Sequence, residues 1–277
     1  MKNSFIHFLN GEFVTEENLL ISPRDLGFAR GYAVSDFLVT HNFRPFKLSG
    51  HIDRLFMSAE AIGIKIPWSK EQIAKWIQET LDKNDKNLEK TIKIFLTGGK
   101  SHFLFQTSDP TIIIIVGEYI HQSAKYYEKG VKAKLVKYGR QFANVKTTNY
   151  VEAIRNLSKL RNSDVTEVIY YDNAQIYEGG GCNIFAVIDD KLLTPKSNIL
   201  EGVTRNILLG ILKLDIPVEI KDFSINDLFN ASEIFLTGSS KEIRGVVRID
   251  EKQIGDGKVG EITKEVMRQY KEYTSKN

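Results

Sequence analysis

Lys146-Thr147-Thr148-Asn149-Tyr150, then a helical run, then Glu167-Val168-Ile169-Tyr170-Tyr171-Asp172, then Tyr177-Glu178-Gly179-Gly180-Gly181-Cys182-Asn183-Ile184-Phe185: this stretch decides how the chain reads. Lys146 heads a Lys-x-x-Asn-Tyr run, and Glu178 follows it by 32 residues at the mouth of a triple-glycine turn. A lysine amine can condense with an aldehyde to a Schiff base, and a carboxylate can hold a pyridine nitrogen protonated. A solvated lysine and a strand-end glutamate are the ordinary alternatives, and Lys132, Lys134 and Lys137, which have no such carboxylate in register, fit the first of them. Three consecutive glycines allow close backbone approach to something flat or bulky, and they equally suit a plain tight turn.

Working outward from this stretch, the second half of the chain predicts many short strands and few helices. Strands are expected at 131–137, 165–171, 175–178, 183–188, 191–194, 233–237 and 246–249, with helices over 151–161, 204–212 and 259–273. That pattern suggests a mixed sheet folded back as a pseudo-barrel. The first half predicts a hairpin over 5–14 around Asn10-Gly11, since an Asn-Gly pair suits a type I′ turn. A second hairpin is expected over 37–48 with its turn at 42–45. Helices follow at 51–63 and 69–81, the latter with Ser69 and Gln72 spaced for a capping box, and strands at 91–97 and 111–117. The polar run 119–128 reads as a linker. The fold class expected is mixed α/β (α+β) in two domains: 1–118 as a small N-terminal α/β domain and 129–277 as the larger C-terminal domain.

Composition narrows the function. Of 277 residues, 42% are hydrophobic and 26% charged, which excludes wholesale disorder. Lys+Arg is 38 against Asp+Glu 35, a balance that predicts neither a nucleic-acid nor a membrane partner. The opening Met1-Lys2-Asn3-Ser4-Phe5-Ile6-His7 lacks the apolar core of a signal peptide, and the longest apolar run, Ile112-Ile113-Ile114-Ile115-Val116, is too short to span a bilayer. Cys182 is the only cysteine, so no intramolecular disulfide can form, and the expected location is cytoplasmic. The five histidines show no metal-ligand spacing, and no metal is expected.

The chain resembles the class IV aminotransferases, the fold type IV pyridoxal phosphate enzymes that include branched-chain aminotransferases, D-amino-acid aminotransferases and aminodeoxychorismate lyase. The resemblance runs nearly end to end. It is carried by Phe8-Leu9-Asn10-Gly11, Ile21-Ser22-Pro23-Arg24-Asp25-Leu26-Gly27-Phe28, His51-Ile52-Asp53-Arg54-Leu55, the lysine and glutamate segments, Glu201-Gly202-Val203-Thr204-Arg205, and Phe235 through Ile243. It implies pyridoxal 5′-phosphate as cofactor, with Lys146 as the Schiff-base lysine and catalytic base and Glu178 as partner of the pyridine nitrogen. Tyr150 is implied for the phenolate, and Arg54, Val203, Thr204 and Ser239 for the phosphate. It also implies amino acid and 2-oxo acid substrates, a transaminase of branched-chain or D-amino-acid type, and a homodimer. The alternative within the same resemblance is a lyase releasing pyruvate and 4-aminobenzoate from aminodeoxychorismate.

The substrate side departs from the family. Relatives carry Gly-Asp-Gly-Val, an aromatic and a glutamate where this chain reads Gly31-Tyr32-Ala33-Val34-Ser35-Asp36. Arg30 can bind a substrate carboxylate or form an ion pair with Asp25 or Asp36. Lys100-Ser101-His102 occupies the place of an Arg-x-His carboxylate trap, with a point charge in place of the guanidinium fork. Lys93, Lys100, His102 and Ser240 complete the substrate-side candidates.

Overall fold

The computed structural model describes residues 5–103 and 106–277, so Met1 to Ser4 of the leader reading lie outside the described residues. The chain forms two compact units, one running through Ile120 and taking in Val145–Asn149, the other made of His121–Asn144 and Tyr150–Asn277.

The first unit contains β1 (Ile6–Leu9), β2 (Glu12–Thr15), α1 (Leu26–Arg30), β3 (Ala33–His41), β4 (Arg44–Pro45), α2 (Leu48–Ala61), α3 (Lys70–Asp82), β5 (Lys90–Thr97) and β6 (Thr111–Glu118). Its six strands are antiparallel in the order β2-β1-β6-β5-β3-β4. The side-chain alternation of a strand sorts the faces. Val34, Leu38, Ile92, Ile94, Leu96, Ile112, Ile114 and Val116 form one core with Ile52, Leu55, Ala59, Ile73 and Ile77 of α2 and α3. Asn10 and Gly11 both take positive φ, as the type I′ turn requires. The second hairpin is tighter than the sequence suggests, because Asn42 and Phe43 alone make the turn and Arg44–Pro45 pairs back onto β3. Ser69 caps α3 by accepting from Gln72 N at 3.2 Å, the one half of the expected box that the structure supplies.

The second unit contains α4 (Lys125–Glu128), β7 (Val131–Lys137), α5 (Val151–Lys159), β8 (Val165–Asp172), β9 (Gln175–Gly179), β10 (Asn183–Ile188), β11 (Lys191–Thr194), α6 (Val203–Ile211), β12 (Val218–Ile220), α7 (Ile225–Asn230), β13 (Glu233–Gly238), β14 (Glu242–Ile249), β15 (Lys252–Gln253) and α8 (Glu261–Lys276). The strands make a mixed sheet in the order β12-β11-β10-β13-β14-β7-β8-β9, curled as a half-barrel, with β15 beside β14. Val131, Ala133, Ile169, Ile184, Ala186, Leu236, Val246 and Ile249 form one core with Phe223 and Leu228. Phe185 and Phe235 stack in register across β10 and β13 at 5.0 Å. The short helix α7 has the full capping box, Ser224 with Asp227, a feature the sequence reading passed over.

Candidate active site

Asp36 is the anomaly around which the first unit's candidate residues gather. It stands on β3 between Val34 and Leu38, on the face that otherwise makes the core, and it is 1% exposed. A carboxylate there is tolerated only with charged and hydrogen-bonding partners. α2 supplies them: Arg54 donates from Nε to Oδ2 and from Nη2 to Oδ1, both at 2.8 Å, and His51 Nδ1 lies 2.7 Å from Oδ1. Burial works to raise the Asp36 carboxyl, but the Arg54 charge and the His51 and Arg54 hydrogen bonds hold it well below the usual carboxylate range. Burial pushes the His51 imidazole down, Asp36 opposes that, and the charges of Arg54 and Lys146 add to the lowering.

Lys146 is fixed by its backbone to the same elements. Its carbonyl accepts from Ser35 N at 2.8 Å, its N–H donates to Ser58 Oγ at 3.1 Å, and Thr148 N donates to Ala33 O at 3.2 Å. The lysine segment therefore runs as a short antiparallel bridge along β3, with Val34 opposite Thr147. His51, Arg54 and Ser58 fall three and four residues apart, so one buried face of α2 carries the imidazole, the guanidinium and the hydroxyl that holds the lysine.

In the second unit the sheet places Glu178 at the end of β9, where it is 5% exposed. Arg140 donates from Nε to Oε1 at 2.7 Å and also bonds the Ala143 carbonyl; Leu200 N donates to Oε2 at 3.0 Å. The same Leu200 offers its carbonyl to Asn183 Nδ2 at 2.7 Å. Asn183 Oδ1 sits so close to Gly202 that a Cβ there would meet it at 2.0 Å. Gly202 is the N-cap of α6, and no side chain among the described residues caps that helix. Glu178 is thus joined by Leu200 and Asn183 to an N-terminus whose first amides, from Val203 and Thr204, carry the positive end of the helix dipole.

The glycine turn answers the question the sequence left open. A Cβ on Gly179 would lie 2.3 Å from Cys182 Sγ, and one on Gly180 would lie 2.9 Å from Val168 Cγ2, so both glycines are required by the protein's own packing. At Gly181 a Cβ would meet only the Tyr150 ring, 4.0 Å away. Gly238 backs onto the Gly181 carbonyl, which sets the Gly238–Lys241 turn, with Ser239 and Ser240, beside the Glu178 loop. Thr204 is buried, and so is Tyr270 on α8. The Thr237 hydroxyl, two residues before Ser239, is buried without a partner among the described residues. An uncapped helix start, adjacent hydroxyls and a braced carboxylate form a donor set that fits a phosphorylated pyridine ring.

The substrate-side candidates are dispersed. Lys93 is exposed and registers with Phe37, on the sheet face away from Asp36 and α2. Arg30 ends α1, exposed, and donates to Ala29 O at 2.7 Å. Neither predicted ion-pair partner takes it: Asp36 holds Arg54, and Asp25 caps α1 through Gly27 N and accepts from Thr97 Oγ1. Lys100 bridges Asp25 along the backbone, and His102 Nδ1 lies 3.1 Å from Arg24 Nη1. The sequence reading missed Arg24 as the guanidinium beside His102, and missed Arg140, Asn183 and Leu200 altogether. Arg140 carries no local motif, and only the register of β7 and β8 with β9 reveals its partner.

Comparison with known proteins gives this arrangement its class. The Escherichia coli branched-chain amino acid aminotransferase superposes with a TM-score of 0.90 at 25% identity, over 99% of this chain and 95% of the other. The branched-chain aminotransferase of the thermophilic archaeon Thermoproteus uzoniensis, solved with norvaline, has a TM-score of 0.89 at 26% identity and coverage of 99% and 95%. At 21% identity, the Pseudomonas aeruginosa 4-amino-4-deoxychorismate lyase shares the fold, with a TM-score of 0.82 and coverage of 97% and 99%.

The amino-transferase class IV family model matches residues 33–249, and the chain belongs to that family. A Methanocaldococcus jannaschii relative with a provisional branched-chain-amino-acid aminotransferase name is 31% identical over 97% of this chain and 96% of its own. The D-alanine aminotransferase of Staphylococcus haemolyticus is 26% identical over 96% of each. Among the described residues no helix is long and apolar enough to cross a membrane.

Proposed function

We propose that this aminotransferase carries pyridoxal 5′-phosphate on Lys146 and moves an amino group between a branched-chain or D-type amino acid and a 2-oxo acid. The observation that carries the reading is the continuous tie from Glu178 through Leu200 and Asn183 to the uncapped start of α6. One carboxylate and one anion-binding helix end at a fixed separation are what a ring nitrogen and a phosphate on the same molecule require. The bound cofactor supplies an electron sink that makes the α-proton of an amino acid acidic.

The chain's own residues do the rest. Lys146 Nζ anchors the cofactor and, once displaced, takes the substrate α-proton. Its segment is held at both backbone groups by Ser35 and Ser58, which keeps the amine's origin fixed while the side chain moves. Glu178, braced by Arg140 and Leu200 N, holds the ring nitrogen protonated. The amides of Val203 and Thr204, with Ser239 and the Arg54 guanidinium oriented by Asp36, neutralise the phosphate. Tyr150, beside Gly181, serves the ring phenolate. Arg30, Lys93, Lys100, His102 and Ser240 are the proposed sources of contacts for the substrate carboxylate, and Arg24 joins them through His102. A buried lone cysteine is compatible with the cytoplasmic homodimer that we propose for the enzyme.

A panel of L- and D-amino acids, with the cofactor's visible absorbance followed in purified protein, tests this reading. Wild type should gain a visible band with pyridoxal phosphate and lose it with one stereochemical class of donor. Lys146→Ala should show neither the band nor amino transfer, and retention of both overturns the assignment. Release of pyruvate from aminodeoxychorismate without any 2-oxo acid acceptor would replace transaminase with lyase.

A further inference from the structure

Beside the apolar core of the second unit lies a buried polar cluster that the chemistry above does not use. Glu167 lies on β8, 3% exposed, on the same face as Ile169, which belongs to the apolar cluster. Its Oε1 accepts from Val168 N at 3.1 Å, and its Oε2 is ion-paired with Lys241 Nζ and accepts from Cys182 Sγ at 3.5 Å. Its two side-chain partners, Cys182 and Lys241, lie on the two segments that the proposed chemistry uses. Cys182 closes the return that begins at Glu178, its carbonyl accepting from Gly179 N at 2.8 Å. Gly180 lies directly over the carboxylate, where a Cβ would be 3.1 Å from Oε1. Lys241 ends the turn that carries Ser239 and Ser240, its N–H donating to Gly238 O at 3.1 Å.

We propose that the Glu167–Lys241 ion pair is a positioning clamp that locks the Glu178 loop onto the Ser239–Ser240 turn. The pair touches no reacting atom. It acts through the two segments it joins, fixing the distance between the ring-nitrogen carboxylate and the hydroxyls offered to the phosphate. The inference rests on the reading of Glu178 as the ring partner given above. Burial would lower the Lys241 ammonium, but the Glu167 carboxylate paired with it pushes it up to about 12. Burial, reinforced by the Glu167 charge, pushes the Cys182 thiol well above its ordinary value. Cys182 is therefore an inert thiol in the closed loop and, as the only cysteine, a reporter of loop opening.

The test compares wild type with Lys241→Met, Lys241→Arg, Glu167→Gln and the Glu167→Gln/Lys241→Met double variant. In apoprotein without denaturant, a disulfide-exchange reagent should label Cys182 at least about tenfold faster in Lys241→Met, with little dependence on urea, which marks local opening. Lys241→Arg should restore slow labelling. The double variant should be no worse than the worse single variant, because Lys241→Met strands the buried Glu167 carboxylate and Glu167→Gln leaves the half-buried Lys241 ammonium unpaired. In protein loaded with pyridoxal phosphate, Lys241→Met should lose on the order of tenfold to a hundredfold in kcat with donor KM little changed, as misplacement of a positioning group predicts. Unchanged labelling, labelling that follows only global unfolding, or failure of Lys241→Arg to rescue would overturn the clamp. Labelling as proposed in a protein that binds no pyridoxal phosphate would uphold the clamp and overturn the functional reading.

Discussion

Gly202→Ala isolates the joint between the Glu178 bracket and the end of α6 proposed to bind phosphate. The backbone at Gly202 has φ −70° and ψ 139°, which any L-residue adopts, so the substitution carries no conformational strain of its own. Restricting the unfolded chain would by itself stabilise the protein by about 0.4–1 kcal/mol. Against that, the new methyl would stand 2.0 Å from Asn183 Oδ1. Asn183 is 5% exposed and bound to Leu200 O, so swinging its amide away strands buried polar groups at about 1–3 kcal/mol. Moving the helix start instead costs a similar ~1–3 kcal/mol of overpacking.

The steric cost exceeds the entropic gain, and urea unfolding of the apoprotein should show a net loss of about 1–2 kcal/mol. Displaced amides also weaken the grip on phosphate. A loss of about 1–2 kcal/mol there corresponds to a Kd for pyridoxal phosphate roughly 5- to 30-fold higher, read by absorbance titration. In Asn183→Ala/Gly202→Ala the clash has no second partner, so the double variant should be about as stable as Asn183→Ala alone. A Gly202→Ala protein with unchanged urea midpoint and cofactor affinity, or a double variant as unstable as the two losses combined, would refute the reasoning.

Further changes probe the other buried groups. Asp36→Asn removes the buried counter-charge that Asp36 gives the Arg54 guanidinium and should cost about 3–5 kcal/mol in urea unfolding. Arg140→Leu removes the charged donor from Glu178 and should lower kcat much more than it raises donor KM, measured by steady-state kinetics at saturating cofactor. His51, whose folded value is lowered first by burial, binds its proton more readily in the unfolded chain. Its contribution is therefore complete above about pH 6.5 and is lost as pH falls below that toward the folded value, with a slope of up to about 1.4 kcal/mol per pH unit. His51→Gln should flatten the urea midpoint between about pH 7 and 5, and an unchanged profile would exclude His51 as the source.

Local chemistry decided what the sequence could reveal. The strands of both units were legible because alternation and the run Ile112–Val116 record which face is buried, and Asn10-Gly11 writes its turn in residue type. Motif order gave the family, since Lys146, Glu178 and Gly202-Val203-Thr204 are ordered along one chain. The short helices α1 and α7 escaped notice because fewer than two turns leave no periodicity to detect, and only their caps, Asp25 and Ser224, mark them. Arg30 was open between substrate binding and an ion pair because sequence lists the acids near it but not the competition for them. Arg54, one helical face away, satisfies Asp36 with two parallel hydrogen bonds, and a fork geometry outcompetes a flexible single contact.

The same limit explains why the supports of the site stayed hidden while its chemical groups did not. A reacting group must be a particular residue type, so Lys146 and Glu178 can be proposed for their roles by identity. A supporting group need only bring a donor or acceptor to a place. Leu200 does it with its backbone, Asn183 with an amide, Arg140 from a loop 38 residues before its partner, and Lys241 from 74 residues beyond Glu167. Such contacts are products of sheet register: β10 and β13 pair Asn183 with Thr237, which brings the Glu178 return against the Ser239 turn. A chain can therefore keep the order of its reacting residues and still differ from its relatives in how firmly they are held. The substrate-side cations on the first unit lie outside that framework: Arg24 is exposed and meets His102 at 3.1 Å, and the exposed Lys100 stands where the resemblance has an arginine. Substrate choice in this enzyme is accordingly to be sought there, by exchanging Arg24 and Lys100 one at a time and comparing donor KM across the amino-acid panel.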